Sequence, residues 1–557
     1  MDRDIILKLA LQNAVDHDGK ANFNALLGHI IALEPNIKTE MKEWVPIITE
    51  IIEQVNTLTA FQQKDKLEVI APELLIKKKI IEHKTLENLP NVSGLVKMRL
   101  APSPSGPLHI GSSRMAILND EYVKRYGGKL FLRIEDTNPH NVEKEAYQMI
   151  QDDLDWLQVR YDEIVIQSER FDIYYEFAKK LLEMNKAYIT LCKENEWRAL
   201  KIARKPCPDR DLEPELQLER WDKMLSGEYN NGEAVFVVKT DLNHPNPAIR
   251  DWAALRIIKK ANHPLLKNRY IVYPLMNFAV AVDDYLLGLT HVLRGKDHLN
   301  NTYRQLYLFR YFDWPIPVYI HYGKVRIKDT FLKKSLIKKG IKDKQFKGWD
   351  DPRLGTLKAI ANRGIDPNAI RRYWIDVGIK EVDIEFSWEN LYAYNRDIIE
   401  KFAKRLFYVW NPVQITVKNS LFLRSLAPYH PSKKELGNRE YTFEGEFNIF
   451  LTIDDWSAIG TGKMFRLKDL CNITKLDDTT AEYSGNDLSI IKKGAKIVHW
   501  VPENSEKCKV YMPDGTVRRG LLEPLASNCV NSEVQFERFG FVNLKKEKNY
   551  IAYFTHR

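Results

Sequence analysis

The residues best suited to chemistry lie in residues 95–139, LVKMRLAPSPSGPLHIGSSRMAILNDEYVKRYGGKLFLRIEDTNP. Residues 96–100 alternate apolar side chains and predict a short buried strand, after which the sequence APSPSGP imposes a tight turn. Apolar residues then recur every three or four positions, which predicts a helix that begins near His109 and ends at Gly127. Residues 129–135, KLFLRIE, predict a second strand. The order strand, turn, helix, strand is typical of a doubly wound parallel sheet.

The turn after the first strand is a candidate anion site. In doubly wound sheets, ligands bind beyond the carboxyl ends of the strands, which places residues 103–111 and the pair Glu135 and Asp136 on the rim of one cleft. Free backbone N–H groups and the helix dipole favour an anion such as phosphate there. The turn contains neither GxGxxG nor GxxxxGK[ST], so it indicates neither a dinucleotide-binding motif nor a P-loop.

A second polar cluster ends a long apolar segment. Residues 269–298, RYIVYPLMNFAVAVDDYLLGLTHVLRGKDH, are apolar on both faces and predict a central parallel strand. The charged groups Asp283, Asp284 and Arg294 come where this strand is expected to emerge. Their position favours the rim of a site over an ordinary salt-bridged loop.

A third candidate region is strongly basic. Residues 324–347 hold ten lysine and arginine residues against two acids, and Gly340 interrupts them. They predict a mobile cationic loop that could contact phosphates, with a generic solvated loop as the alternative.

Length, charge and cysteine content limit the class of protein. The 557 residues suffice for roughly three to five domains. The 84 lysine and arginine residues exceed the 75 acids by nine, which fits a polyanionic partner. A cytoplasmic protein without a membrane segment is expected, because there is no signal peptide, no long apolar run and no regular cysteine framework. Cys192 and Cys207 could be half of a zinc site, but no CxxC accompanies them, so we expect no structural zinc.

The pattern along the chain predicts a multidomain fold, α/β followed by all-β. The expected segments are a helical N-terminal appendage (1–93), the first half of a Rossmann-type α/β domain (94–187), an inserted subdomain (188–268), the second half of the α/β domain (269–315), a helical connecting region with the basic loop (316–404) and a module of one or two β-barrels (405–557). Three amphipathic helices are predicted in the appendage. The basic run at 75–84 that follows them is either a partner-binding face or a solvated one.

Together these segments resemble glutamyl-tRNA synthetases of the archaeal type, which are class I enzymes, and more distantly glutaminyl-tRNA synthetases. PLHIGSSR resembles the HIGH motif of class I and FLKKS (331–335) its KMSKS motif, and HVLRGKDH, GWDDPRL and SWENLYAYNRD are further family motifs. The resemblance covers essentially the whole chain. It implies ATP-dependent attachment of L-glutamate to tRNA-Glu through glutamyl-adenylate, with Mg²⁺ accompanying ATP. It also implies an insertion that binds the tRNA acceptor end and a β-barrel anticodon module.

The resemblance implies roles for individual residues around the amino acid. Arg99 matches the arginine that holds the side-chain carboxylate, and Ser103 lies beside it. Glu135 matches the acid that binds the substrate amino group, and Arg294 belongs to the amino-acid and adenylate pocket.

A second set of residues is implied for ATP. His109 and Lys334 match the catalytic histidine and lysine of the two class I motifs, and Gly106 and Gly111 complete the ATP contacts. Within the basic loop, Lys333, Lys338 or Lys339 could replace Lys334.

Two departures from the family and two alternatives belong to this interpretation. Ser112 replaces the final histidine of HIGH, and Met276 stands where relatives often carry a tyrosine. The alternatives are a glutaminyl-tRNA synthetase and an inactive tRNA-binding relative. Whether tRNA-Gln is charged as well stays open. A monomer is expected, with the appendage as a candidate protein-interaction site.

Overall fold

The computed structural model describes residues 3–17, 19–34, 41–71, 85–328 and 330–557. The chain divides into two compact units, Met1–His83 and Lys84–Arg557. None of the helices in the described ranges combines the length and the apolar character that a membrane crossing requires.

The first unit is helical. Its helices in the described ranges are α1 (Arg3–Asp16), α2 (Phe23–Leu33), α3 (Met41–Asn56) and α4 (Ala60–Ile70). Their apolar faces enclose a core that includes Ile6, Leu26 and Ile51. Apolar spacing predicts the first three helices but not α4, because most side chains in AFQQKDKLEVI are polar. The basic run at 75–84 lies outside the described residues.

The second unit begins with the strand–turn–helix–strand arrangement that the sequence predicts. The elements are β1 (Lys97–Leu100), α5 (Ile110–Tyr126), β2 (Lys129–Ile134), α6 (Ala146–Trp156), β3 (Glu163–Ile166) and α7 (Phe171–Glu183). β2 pairs in parallel with β1 on one side and with β3 on the other. The carboxyl ends of the three strands therefore lie at the same edge of the sheet.

An antiparallel sheet with its own helices is inserted next. Its elements are β4 (Ala187–Thr190), α8 (Glu194–Ile202), α9 (Pro214–Ser226), β5 (Val235–Val238), β6 (Trp252–Ile257) and β7 (Val272–Pro274). The four strands follow one another in the order β4-β5-β6-β7. Trp221 and Phe236 share one apolar core with Phe171 of α7, so this core joins the antiparallel sheet to the region of the parallel sheet.

The chain then returns to the parallel sheet through α10 (Met276–Leu286), β8 (His291–Gly295), α11 (Leu299–Tyr311) and β9 (Val318–Tyr322). β8 pairs in parallel with β9, and Thr290 N donates to Lys97 O at 3.0 Å, which places β8 beside β1. The order across the core is therefore β3-β2-β1-β8-β9, a doubly wound arrangement.

The prediction of one strand over 269–298 is wrong for its middle. MNFAVAVDDYL is helix α10, and almost all of it is buried. A helix that is buried on every side is apolar on every side, so spacing alone cannot distinguish it from a buried strand. The strand that carries Arg294 is the short β8 that follows.

The prediction of a mobile basic loop is also wrong in part. Residues 324–347 contain β10 (Val325–Arg326) and α12 (Lys334–Lys342). The elements that follow are α13 (Leu357–Asn362), α14 (Pro367–Val377), β11 (Ile384–Glu385) and α15 (Trp388–Ile399). α12 is held by Ile337, which is buried against Leu354 and Ala359. The helix continues through Gly340, where the absence of a side chain leaves room for the Phe346 ring, 2.5 Å from the position of an added Cβ.

The last part of the chain is all-β, as the sequence predicts. Its elements are β12 (Lys404–Leu406), β13 (Tyr408–Trp410), β14 (Pro412–Lys418), β15 (Leu423–Pro428), β16 (Asn438–Phe443), β17 (Phe447–Thr452), α16 (Ile453–Ser457), β18 (Met464–Leu467), β19 (Asn472–Lys475), β20 (Thr480–Tyr483), α17 (Ser489–Lys492), β21 (Ile497–Val498), β22 (Val501–Pro502), β23 (Glu506–Tyr511), β24 (Val517–Leu522), β25 (Ser532–Phe536), β26 (Gly540–Lys546) and β27 (Tyr550–His556). They form two seven-stranded sheets and a hairpin, β15–β16. The edge strands of one sheet, β12 and β13, are joined by Phe407 alone, so this sheet curls into a nearly closed barrel.

Candidate active site

Three of the predicted substrate residues line one cavity at the carboxyl edge of the parallel sheet. Arg99 lies near the end of β1, Glu135 follows β2 directly, and Arg294 lies near the end of β8. The cavity has a volume of about 120 Å³. Its walls are lined by Arg99, Ala101, Met115, Glu135, Met276, Val280, Leu293, Arg294, Gly295, His298, Gln305 and Tyr322. Neighbouring parallel strands thus bring together groups that are far apart in the sequence.

Arg99 is almost completely buried. Its Nη1 donates to the Leu293 carbonyl at 3.3 Å, and its Nε lies 3.6 Å from Asp284 Oδ1. Burial lowers the pKa of Arg99 from its ordinary value, and the attraction of Asp284 offsets part of that shift. A guanidinium stays charged even so, and the structure leaves donors of Arg99 available to a carboxylate in the cavity.

Arg294 is held rigidly from the other side of the cavity. Its Nη1 and Nη2 both donate to Gln305 Oε1 at 3.0 Å, and Nη2 also donates to the Thr302 hydroxyl at 2.5 Å. The guanidinium carbon lies 4.6 Å from the centre of the Tyr319 ring. Burial, with repulsion from Arg99, lowers the pKa of Arg294 to about 10, so it remains a cation at neutral pH.

Glu135 is the carboxylate of the cavity. Its Oε1 accepts from Arg133 Nη2 at 3.0 Å, and Arg133 is its only ion-pair partner in the described part of the chain. Arg133 also contacts Asp284, with 2.5 Å between Nη1 and Oδ1. Burial by itself lowers the pKa of Arg133, but pairing with Asp284 and Glu135 outweighs it and raises the pKa above its ordinary value.

Arg133 and the contact of Asp284 are features that the sequence reasoning did not assign. A partial signal was present in both cases, since each is a charged residue within a mostly apolar, buried element, β2 or α10. Charged groups are rarely buried without a partner, so each of the two indicates that a partner exists but not which residue it is.

The turn before α5 forms the second part of the site. His109 is the N-cap of α5, and a reciprocal pair of hydrogen bonds joins it to Ser112. Ser112 N donates to His109 Nδ1 at 3.2 Å, and His109 N donates to Ser112 Oγ at 2.8 Å. The hydroxyl of the serine that replaces the last histidine of the motif completes this capping box, whereas the backbone N–H of residue 112 keeps Nδ1 as an acceptor. The His109 proton then resides on Nε2.

His109 is neutral at physiological pH. Burial of the ring, with repulsion from Lys334, lowers the pKa of His109 to about 4. Gly106 in the turn and Gly111 in the first turn of α5 both have little space for a side chain. Gly106 has φ +139°, and an added Cβ would lie 3.0 Å from the Trp349 ring, while a Cβ on Gly111 would lie 3.1 Å from His109 Cε1.

Lys334, the first residue of α12, contacts the turn before α5 with its side chain. Its Nζ donates to the Gly106 carbonyl at 3.0 Å. Burial lowers the pKa of Lys334 to about 8, with a further lowering by Lys338 and an opposing effect of Asp153. Lys333 and Lys339 are exposed, and Lys338 pairs with Glu143 at 2.5 Å.

Three backbone hydrogen bonds connect the two motif segments through residues 355–357. Ile110 N donates to Gly355 O at 2.9 Å, and Leu357 N donates to Leu108 O at 3.0 Å. On the other side, Gly355 N donates to Phe331 O at 3.1 Å. The start of α13 is therefore bonded to the turn that precedes α5 and to the segment that leads into α12.

Asp153 of α6 supports the same turn and was not anticipated from the sequence. Its Oδ2 accepts from Leu108 N at 2.6 Å, and its side chain is almost completely buried. Burial raises the pKa of Asp153 to about 7, although the hydrogen bond from Leu108 opposes the shift. No sequence motif marks this residue, because its role depends on the packing of α6 beneath the turn.

Two predicted positions contribute less direct contacts. Ser103 is exposed, does not line the cavity, and accepts from Ser105 N through its carbonyl at 2.9 Å. Met276 does line the cavity. It places a thioether at a position where relatives often carry the hydroxyl of a tyrosine.

A group of possible metal ligands lies in the inserted sheet. The Sγ atoms of Cys192 and Cys207 are 3.3 Å apart, and Asp209 Oδ2 lies 3.7 and 3.8 Å from them. Asp209 is also bonded to Arg220 at 2.9 Å. The expectation that the chain has no structural zinc stays a prediction.

Comparison with known proteins identifies the family. A family model described as "tRNA synthetases class I (E and Q), catalytic domain" matches residues 95–401, and one for the "anti-codon binding domain" of the same enzymes matches residues 403–491. The glutamate–tRNA ligases of Methanocaldococcus jannaschii and Thermoplasma volcanium are each 47% identical to this chain, and that of Pyrococcus furiosus is 45% identical. Each comparison covers 99% of both chains. The chain therefore belongs to the class I tRNA synthetases for glutamate and glutamine, and it resembles the archaeal glutamate enzymes along its whole length.

Proposed function

We propose that the chain attaches L-glutamate to tRNA, with tRNA-Glu as its cognate partner. Membership of the aminoacyl-tRNA synthetases implies that ATP is consumed. The observation that carries the choice of amino acid is the charge of the cavity, whose lining includes two arginines, Arg99 and Arg294, and one carboxylate, Glu135. The surplus of one positive charge complements glutamate, which carries one net negative charge, better than it complements neutral glutamine. The curated relatives named for glutamate support the same choice.

In this proposal the cavity binds each charged group of glutamate separately. Arg99 presents paired N–H donors to the side-chain carboxylate, because a planar guanidinium matches its two oxygens. Glu135 accepts hydrogen bonds from the substrate ammonium, and Arg294 contacts the α-carboxylate and later the adenylate. Ser103 is kept as a neighbour of Arg99, on the resemblance alone.

ATP is proposed to bind over the turn before α5. The free N–H groups and dipole of the helix N-terminus attract the phosphates, and Gly106 and Gly111 let them approach the backbone. His109 donates from Nε2 as a neutral group, and Lys334 neutralises the departing pyrophosphate. Glu143 and Asp153 near the turn are already bonded to Lys338 and Leu108, so Mg²⁺ is expected to enter as a complex with the phosphates and to neutralise part of their charge.

The chemistry needs no covalent intermediate with the protein. The α-carboxylate of glutamate attacks the α-phosphorus of ATP, the bond to the β,γ-phosphates breaks, and pyrophosphate leaves as glutamyl-adenylate forms. A terminal ribose hydroxyl of tRNA then attacks the activated carbonyl and releases AMP. The protein contributes by holding two anions in line and by stabilising the charge that develops on the leaving group.

The remaining segments are proposed to bind tRNA or partners. Residues 188–268 would contact the acceptor end and residues 405–557 the anticodon, whereas residues 94–187, 269–315 and 316–404 would build the catalytic cleft. The match of an anticodon-binding model to residues 403–491 supports the second assignment. The helical appendage, 1–93, is proposed as a protein-interaction site on a monomeric enzyme that works in the cytoplasm.

Charging of purified tRNA-Glu and tRNA-Gln with each amino acid tests the proposal. We expect glutamate to be used at least about a thousandfold more efficiently than glutamine, because a buried polar site rejects a mismatched isostere by several orders of magnitude. Equal or better charging with glutamine would identify a glutaminyl enzyme. No charging with either amino acid, when tRNA and ATP are both present, would identify an inactive relative.

A further inference from the structure

Two charged residues lie directly behind the walls of the amino-acid cavity without lining it. Arg133 of β2 is fully buried, and Asp284 of α10 is 1% exposed. Arg133 joins the two carboxylates near the site, since its Nη1 lies 2.5 Å from Asp284 Oδ1 and its Nη2 lies 3.0 Å from Glu135 Oε1. A fixed fork thus connects a carboxylate at the cavity with one behind it.

Asp284 is poorly hydrogen-bonded for a buried carboxylate. Within the described residues its Oδ2 has no hydrogen-bond partner. Its Oδ1 accepts from Arg133 and lies 3.6 Å from Arg99 Nε. Burial of such a group is costly unless cations compensate it. The cations are two arginines side by side, which would otherwise repel each other in a medium of low dielectric.

As a consequence, the two carboxylate oxygens of Glu135 have different surroundings. Oε1 accepts from Arg133, whereas no other hydrogen bond to the carboxylate occurs in the described part of the chain. Oε2 is therefore available at the cavity. If Arg133 were not drawn backwards by Asp284, it could engage both oxygens in the bidentate geometry that guanidinium groups favour.

We infer that Arg133 and Asp284 are positioning residues for the substrate ammonium. Asp284 holds one arm of Arg133, so the other arm fixes Glu135 through a single oxygen and leaves the second oxygen for the amino group of glutamate. This inference rests on the proposed function, because it takes Glu135 as the group that accepts the substrate ammonium. It adds two residues that never touch the substrate.

The test compares two ligands that differ only in the ammonium. Glutarate has both carboxylates of glutamate and no amino group, so it serves as a competitive inhibitor that does not need Glu135. In charging assays with saturating tRNA, Asp284→Asn should raise the KM for glutamate roughly tenfold or more, the scale of one weakened charge-assisted hydrogen bond. The Ki for glutarate should stay constant or fall, since the site gains positive charge. The KM for ATP should not change.

Asp283→Asn is the matched control. Asp283 is the preceding residue of α10, is also fully buried, and pairs with Arg170 at 2.8 Å. Its further partners, Gln167 and Tyr174, do not line the cavity. Asp283→Asn should leave the ratio of glutamate KM to glutarate Ki unchanged. An equal change of this ratio in both variants would overturn the inference. An equal rise of the glutamate KM and the glutarate Ki in Asp284→Asn would overturn it as well.

A second variant covers the case in which Asp284→Asn does not fold. Arg133→Lys keeps the buried cation but cannot bridge both carboxylates with the same geometry. This variant should raise the KM for glutamate and leave the Ki for glutarate unchanged. A parallel rise of both constants would count against the inference. Glu135→Gln separates the two levels of the argument. If this variant leaves the ratio unchanged, the proposed role of Glu135 fails; if it changes the ratio while Asp284→Asn and Arg133→Lys do not, only the inference fails.

Discussion

The two ends of the cleft, to which the proposed function assigns the amino acid and ATP, hold their charges in different ways. At the amino-acid end, Arg99 and Arg294 are permanent cations that buried partners hold in place from behind. At the nucleotide end, the donors are a helix N-terminus, a neutral His109 and Lys334, whose pKa values burial lowers to about 4 and about 8. The arginines at the amino-acid end are fully charged before the ligand arrives. At the nucleotide end His109 is neutral, and the lowered pKa of Lys334 makes its charge easier to lose.

The difference follows from what each end has to recognise. Glutamate brings fixed charges in a fixed pattern, so a preformed arrangement of opposite charges can distinguish it from glutamine. ATP develops additional negative charge only as pyrophosphate departs, so a desolvated lysine gains most when that charge appears. Under the proposed function, specificity and rate acceleration therefore belong to opposite ends of the cleft.

The largest expected effect comes from removing a permanent cation. Arg99→Ala should lower kcat/KM for glutamate by roughly three orders of magnitude or more, because the side-chain carboxylate would be buried without its paired donors. The preference for glutamate over glutamine should shrink with it, and the KM for ATP should stay constant. Charging kinetics with both amino acids measure all three. A variant that keeps the full preference would show that another group reads the carboxylate.

Lys334→Ala should slow adenylate formation by about two to three orders of magnitude, the scale of losing one preorganised donor. Exchange of pyrophosphate into ATP, with tRNA present, measures this step. Lys333→Ala is the control, since Lys333 is adjacent and exposed. Binding of tRNA should not change in either variant. Slow exchange in Lys333→Ala with normal exchange in Lys334→Ala would place the catalytic lysine one residue earlier.

The comparison also predicts different pH dependences at the two ends. A lysine is charged below its pKa, so with Lys334 at about 8 the kcat/KM for ATP should be level near pH 7 and fall about tenfold per unit above pH 8. The KM for glutamate should be nearly constant up to pH 9, because the pKa of Arg294 is about 10. Lys334→Arg should move the alkaline fall to higher pH. An unchanged profile in that variant would assign the fall to another group.

The smallest effect concerns the helix cap. Ser112→Ala removes the hydroxyl that accepts from His109 N in the capping box, and the net contribution of one such hydrogen bond is about 1 kcal/mol, or roughly fivefold. The KM for ATP should rise by that factor, and glutamate binding should not respond. A loss as large as that of Lys334→Ala would mean that Ser112 contacts the nucleotide directly.

The sequence predicts the parts of the fold that depend on local chemistry. The turn APSPSGP, the glycine at the end of α5 and the alternation in β1 are local signals, and the structure places β1, α5 and β2 close to the expected bounds. The alternating segments after residue 405 predict the all-β module for the same reason. The convergence of Arg99, Glu135 and Arg294 follows from parallel topology, in which strand ends share one edge.

The elements that the sequence does not predict depend on burial and tertiary contact. Helix α10 is apolar on all sides, and helix α12 owes its stability to the packing of Ile337 and Phe346 rather than to its lysines. Arg133 and Asp284 acquire meaning only when β2 and α10 are side by side. Spacing along one segment carries no information about such pairs.

The backbone bonds at residues 355–357 have a consequence for mutational tolerance. They connect the turn before α5 and the approach to α12 through N–H and carbonyl groups, which every residue except proline supplies. The separation of His109 from Lys334 is thus independent of most side chains in the two motifs. A serine in place of the last histidine of HIGH, at position 112, and FLKKS in place of KMSKS are therefore compatible with an unchanged backbone at His109 and Lys334. Proline at position 110, 355 or 357 would be the exception, because it removes a donor that no side chain can replace.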